Sequence, residues 1–234
     1  MSKQKKIIHA LTVIDRSGSM QNYRSRTVEG INANINALKQ EVDADTVILN
    51  TQLQFAANGS TWNRPTNNAE TDFLFTRLGV PVQELVDMTE ADYAPDGGTP
   101  LLDAIGYGIE KIKAFHGDKL GDDNLKIIVT IFTDGEENSS TKWSRDDIKK
   151  MIEHFQFDGK WTFTFVGCGS FENVTSTSTS FGISTANTVA YADNELGRTE
   201  AYAKIATSYR NFSRSAKLGV VDNDLFTEKE LPKK

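Results

Sequence analysis

The segment Ile14-Asp15-Arg16-Ser17-Gly18-Ser19-Met20 follows the apolar run Ile7, Ile8, Ala10, Leu11, Val13 and places one carboxylate and two hydroxyls at alternate positions in a glycine-containing turn. Hard oxygen donors presented this way suit Mg²⁺ or Mn²⁺, which take octahedral oxygen coordination and keep several waters. Other chemistry is hard to assemble from this chain. His9, His116 and His154 lack His-Glu-x-x-His spacing and read as ordinary surface or half-buried residues. There is no Gly-x-Ser-x-Gly elbow and no Walker glycine loop with its lysine. The single cysteine, Cys168, excludes an intrachain disulfide or a thiolate cluster and reads as a buried structural thiol.

The elements that must position the Asp15 turn can be read from hydrophobic periodicity. Residues from Ile7 onward form a strand, and Val28, Ile31, Ile35, Leu38 and Val42 mark the buried stripe of a helix. Thr46 to Phe55 reads as a second strand, Asn58-Gly59-Ser60 as a turn, and Asp72 to Thr76 as a short strand that pairs antiparallel at an edge. Asp96-Gly97-Gly98-Thr99-Pro100 combines a glycine loop with an N-cap threonine and a proline at the first helical position, ahead of a helix bearing Leu102, Ile105, Ile109 and Ile112. Lys126 to Phe132 is apolar and β-branched throughout, as a central strand buried on both faces should be, and it ends in Thr133-Asp134-Gly135.

Ile148, Met151, Ile152 and Phe155 predict another helix, Trp161 to Val166 another strand, and Ser176 to Ser180 a loop or short exposed helix. Thr188 to Ala192 reads as a last strand, followed by a helix from about Glu195 to Ser215. Arg198, Lys204, Arg210, Arg214 and Lys217 fall in that last helix with Glu195 and Glu200 between them, the pattern of a solvated face. The alternation predicts an α/β fold, a doubly wound, mostly parallel sheet with one short antiparallel edge strand and helices on both faces. In such sheets ligands bind beyond the carboxyl ends of the strands, where the winding reverses, and Asp15 and Asp134 both sit at predicted strand ends.

Asp15-x-Ser17-x-Ser19, then Thr99 in Gly-Gly-Thr-Pro, then Asp134 in Phe-Thr-Asp-Gly, in that order on those elements, resembles a von Willebrand factor type A domain with an intact metal-ion-dependent adhesion site, of the small intracellular microbial type. The resemblance covers about residues 5–216, so residues 1–216 are read as the domain and 217–234 as a C-terminal tail. It implies that Ser17, Ser19 and Thr99 give hydroxyl oxygens to a divalent cation, Mg²⁺ or Mn²⁺, while Asp15 and Asp134 neutralise its charge directly or through water. The last ligand is then a Glu or Asp carboxylate of a protein partner, which family analogy places in an ATPase-containing complex or a stress or metal-resistance system. Each residue also has a plain structural role open to it. Asp15 can cap a turn, Ser17 and Ser19 can satisfy helix-start amides, Thr99 can be an N-cap, and Asp134-Gly135 is a common turn pair.

Arg16, Met20, Tyr23, Asp96, Glu136, Glu137, Asn138, Ser170 and Glu172 fall in predicted loops on the same rim, where they would set partner choice. Asp103, one turn after Thr99, either orients that loop or caps its own helix. An enzyme rival, a haloacid-dehalogenase-type phosphotransferase, also begins with an aspartate after a strand but requires an acid two positions later, where this chain has Ser17. The expectation is a binding module and not an enzyme, with a structural subunit holding a fixed interfacial metal as the second class.

Composition agrees with a globular domain. The 234 residues are 38% hydrophobic and 25% charged, with a formal net charge of −6, and the sequence pI is near 5.2. An acidic chain argues against a nucleic-acid partner, and no apolar run approaches the roughly 20 residues that would span a bilayer. The N-terminus, Lys3-Gln4-Lys5-Lys6, leads into a short apolar stretch without a cleavage site, so a cytoplasmic protein is expected and the Asn-x-Ser/Thr sequons at Asn58, Asn138, Asn173 and Asn211 are read as chance.

Overall fold

The structure, a computed structural model, describes residues 5–57, 69–134, 136–221 and 224–226. Its elements in chain order are β1 (Lys6–Asp15), α1 (Arg24–Lys39), β2 (Thr46–Phe55), α2 (Ala69–Asp72), β3 (Phe73–Pro81), α3 (Leu101–His116), β4 (Leu125–Thr133), α4 (Arg145–Phe157), β5 (Trp161–Cys168), α5 (Phe171–Ser180), β6 (Thr188–Tyr191) and α6 (Glu195–Lys217). The strands form one sheet in the order β3-β2-β1-β4-β5-β6. All neighbours are parallel except β2 and β3, which are antiparallel. The edge strand expected over residues 72–76 runs on to Pro81, and the hydroxyl-rich stretch before Ser180 is helical, as α5. The turn read at Asn58-Gly59-Ser60 lies outside the described residues.

Strand periodicity decides which helices cover which face, because successive side chains point to opposite sides. From β1, Ile8, Ala10 and Ile14 pack with Val28, Ile31 and Ile35 of α1 and with Tyr202, Ile205 and Tyr209 of α6. Leu11 and Val13 face the other way, onto Ile105, Ile109 and Ile112 of α3 and Ile148 and Ile152 of α4. Every residue of β4 is buried, as its uninterrupted apolar run requires. The central pair β1 and β4 therefore has little freedom, and its carboxyl ends make a fixed platform for the loops above.

Two histidines differ from the sequence reading. His9 is fully buried on β1; its Nδ1 lies 2.7 Å from Nε2 of the buried His116 at the end of α3, and its Nε2 lies 2.8 Å from Thr51 Oγ1 on β2. Burial, then the neighbouring His116, pushes the His9 pKa down to about 3. Past α6, Leu225 is buried and its N–H donates to Asn187 Oδ1 at 3.1 Å, while the Phe226 N–H donates to the carbonyl of Ala186 at 3.2 Å. Among the described residues no helix is long and apolar enough to cross a membrane.

Candidate metal centre

β1 has β2 on one side and β4 on the other, so the chain winds away from it in both directions and a crevice opens above its carboxyl end. Asp15 closes β1 there, fully buried. Its Oδ1 accepts the Ser17 N–H at 2.7 Å, its Oδ2 accepts the hydroxyl of Thr133 at 2.6 Å, and its carbonyl accepts the Tyr93 hydroxyl at 2.5 Å. Ser17 Oγ lies 3.1 Å from Ser19 Oγ, and Ser19 Oγ donates to Asp134 Oδ1 at 2.8 Å. Asp15, Ser17, Ser19 and Asp134 thus converge from loops more than 100 residues apart in sequence. Burial pushes the Asp15 pKa up to about 6, against the pull of its Ser17 and Thr133 hydrogen bonds, and the nearby Asp134 charge adds to the rise.

The serines and Thr99 are not spent on helix starts. Ser17 precedes the short 3₁₀ turn Gly18–Tyr23 without a side-chain cap bond. Thr99 is not the N-cap expected from the sequence: α3 begins one residue later, with Pro100 at the cap and the Ala104 N–H donating to the Pro100 carbonyl at 3.0 Å. The free amides of the first turn are met from across the loop, Leu102 N–H by Glu137 Oε2 at 2.9 Å and Asp103 N–H by Ser140 Oγ at 3.1 Å. Thr99 is buried and is tied through its backbone to the loop after β4, its N–H donating to Asn138 Oδ1 at 2.9 Å and its carbonyl accepting from Asn138 N–H at 3.2 Å. The Asp96–Gly98 segment is laced to the Asp15 turn by Gly18 N–H to the Gly97 carbonyl at 3.0 Å and Asp96 N–H to the Arg16 carbonyl at 2.9 Å. A Cβ on Gly98 would lie 2.4 Å from Ser139 Oγ, so the approach of these loops depends on glycine there.

Asp103 orients its neighbours instead of capping α3. Its carboxylate accepts the N–H groups of Thr141, Lys142 and Trp143 at 2.8, 3.0 and 2.9 Å, clamping the loop after β4. Several residues read as rim are structural as well: Met20 is buried in the core, Glu137 and Asn138 hold loops, and Ser170 caps α5 by accepting the Asn173 N–H. Asp96, Glu136 and Glu172 are exposed. Beside Asp134 opens a cleft of about 370 Å³ lined by Thr133, Glu136, Arg145 and Cys168, among others. Cys168 is half-buried, not fully buried, and burial pushes its thiol pKa up to about 11, which favours the protonated thiol.

Arg198 is the residue that sequence reasoning misplaced. It belongs to no solvated face: it is fully buried, and its Nη2 donates to Asp134 Oδ2 at 3.0 Å and Asp193 Oδ1 at 3.1 Å. Its Nη1 reaches the Tyr191 hydroxyl at 3.4 Å and Met20 Sδ at 3.5 Å, and its Cζ lies 3.6 Å from the centroid of the Tyr23 ring. The signal was present in the spacing, because Arg198 shares the helical stripe of Ala201, Tyr202, Ile205, Tyr209 and Phe212, all buried. Tyr93 carried no sequence signal, and Thr133 was read only as the end of a strand beside Asp134; the folded chain brings both to Asp15.

The donor set fits a hard divalent cation. Asp15 is a fully buried carboxylate whose hydrogen-bond donors, Ser17 N–H and Thr133 hydroxyl, are neutral, and two serine hydroxyls and a second carboxylate continue from it. Among the described residues no group of three or more His, Cys, Asp or Glu side chains is placed to hold a metal ion, so any site here is built on hydroxyls as much as on carboxylates.

No family model and no curated protein matches the chain. Solved structures do. The mussel byssus proximal thread matrix protein 1 is 13% identical with a TM-score of 0.54, covering 86% of this chain and 46% of its own, so this chain spans about half of that protein's length. The SpRpn10 VWA domain is 9% identical with a TM-score of 0.51, covering 82% of this chain and 92% of its own. Manganese-loaded Plasmodium vivax TRAP protein is 15% identical with a TM-score of 0.52, covering 88% and 74%. At these identities the likeness is one of fold, and with the sheet order and its antiparallel edge it establishes that this chain has the von Willebrand factor type A fold.

Proposed function

We propose that this protein is a metal-dependent protein-binding module. Asp15, Ser17, Ser19, Thr99 and Asp134 would hold Mg²⁺ or Mn²⁺, and the bound ion would supply a Lewis-acidic position for a Glu or Asp carboxylate of a partner protein. The observation that supports this best is the continuous set Asp15, Ser17, Ser19, Asp134 at the crevice, with its hydroxyls left free of helix capping. The manganese-loaded TRAP protein shares the fold, which agrees with the reading.

The protein's own groups do the positioning. Thr133 and the Ser17 amide fix the Asp15 carboxylate, Ser19 fixes Asp134, and Asn138 and Glu137 tie the Thr99 loop and the start of α3 to the segment after β4. Exposed Asp96, Glu136 and Glu172 on the rim would select among partners by charge. A phosphotransfer role is disfavoured because the hydroxyl of Ser17 occupies the place where an acid would have to protonate a leaving group.

Affinity capture from a lysate with the wild-type chain and Asp15→Ala, each with Mg²⁺ and with EDTA, tests the reading. Partners retained by wild type in Mg²⁺ and lost both with EDTA and with Asp15→Ala are expected. A partner set that ignores chelation and the substitution would refute it.

A further inference from the structure

Arg198 stands in the first turn of α6, where the helix dipole disfavours a cation, and its charge is wholly buried, which costs free energy unless the charge is paired. Nothing in α6 itself calls for it there. Its strongest partner is Asp134, whose side chain is 5% exposed, whereas the Asp193 side chain is 62% exposed and counts for little through water. The rings of Tyr23 and Tyr191 pack on the guanidinium, and the Tyr23 centroid is 3.6 Å away. Asp134 is therefore shared, with Oδ2 on Arg198 and Oδ1 on Ser19, the side that faces Ser17 and Asp15.

We infer that Arg198 is a built-in counter-charge that makes occupation of the cation site depend on an anion brought by the partner. The inference rests on the metal reading above. Asp15 and Asp134 contribute two negative charges and Arg198 returns one, so a divalent cation leaves the assembly with one net positive charge. A partner carboxylate then brings it to neutrality. Without Arg198 the same cation would already be neutralised, and an incoming carboxylate would add an uncompensated negative charge beside Asp15 and Asp134. Arg198 acts through Asp134 as a positioning residue, and it ties the anchor of α6 to the candidate site.

The test uses the full chain and Mn²⁺ as the probe, titrated calorimetrically in chloride and in acetate buffers of equal ionic strength, with acetate standing for the partner carboxylate. Wild type is expected to bind Mn²⁺ more weakly in chloride than in acetate. Arg198→Gln should bind Mn²⁺ roughly tenfold more tightly in chloride and lose the acetate gain, while Arg198→Lys, which keeps the charge, should behave as wild type. Near-UV circular dichroism in EDTA reports whether the variants fold.

If Arg198→Gln matches wild type in both buffers, or if both variants weaken Mn²⁺ binding alike, the residue is only structural and the inference is overturned while the metal reading stands. If wild type binds no Mn²⁺ in either buffer, both fall. Should the Arg198 variants not fold, wild type alone decides: Mn²⁺ bound equally tightly in chloride and in acetate would overturn the inference.

Discussion

Asp15→Asn should make the metal-free protein more stable while abolishing the cation binding proposed for it. The carboxamide can keep both local bonds, its oxygen accepting the Ser17 N–H and its NH₂ donating to the Thr133 hydroxyl, which now stand at 2.7 and 2.6 Å from the carboxylate. What the substitution removes is a buried negative charge. Burial raises the pKa of Asp15 from 3.8 to about 6, so the folded state binds its proton more tightly than the unfolded state does. At neutral pH, where both states are ionised, that difference is a penalty of about 3 kcal/mol. For a chain of this size such a gain corresponds to a rise in Tm of roughly 6–12 °C.

The sign has a pH signature. Because the folded pKa lies above the unfolded one, the wild-type penalty is full above about pH 6, shrinks as pH falls toward 3.8 and is gone below it, where both forms are protonated. Urea or thermal unfolding in EDTA at pH 7.5 should therefore favour Asp15→Asn, and the gap should close near pH 4. In Mg²⁺ or Mn²⁺ the order narrows or reverses, because a cation that binds only the folded wild type stabilises it in proportion to ln(1 + [L]/Kd). An Asp15→Asn protein less stable than wild type in EDTA at neutral pH would refute the reasoning, since the carboxylate would then be a net structural contributor.

The buried His9–His116 pair predicts the opposite pH response. His9 is depressed to about 3, so the unfolded state takes up the proton first and stability is lost as pH falls from about 6.5. In the Asp15→Asn background, where the opposing term is gone, stability at pH 5 should be about 2 kcal/mol below that at pH 7 by urea titration, and a flat profile would contradict the buried neutral pair. Gly30→Ala should destabilise although alanine favours helix, because a Cβ there would lie 2.1 to 2.5 Å from atoms of the Tyr202 ring, which is itself stacked on Phe132 with centroids 4.7 Å apart. A net loss of about 1–3 kcal/mol in urea unfolding is expected, and an unchanged or raised midpoint would show that α1 and α6 can part without cost.

The sequence by itself determined the alternation of elements, the parallel sheet with its antiparallel edge, and a set of oxygen donors at strand ends. Those signals are short-range. The periods of strands and helices are set by backbone geometry, and Asp15, Ser17 and Ser19 lie within one turn of chain, so spacing reveals them. Only the tertiary structure decided which groups surround them. Thr133 meets Asp15 across 118 residues, Tyr93 across 78, and Arg198 meets Asp134 across 64, separations over which no local period exists. It also decided that Thr99 does not cap α3, because Glu137 and Ser140 satisfy that helix from outside. And it turned Arg198 inward: Glu195 and Glu200 beside it suggested solvent, but its place on the buried stripe of α6 pairs its charge with the buried carboxylate at the mouth of β4.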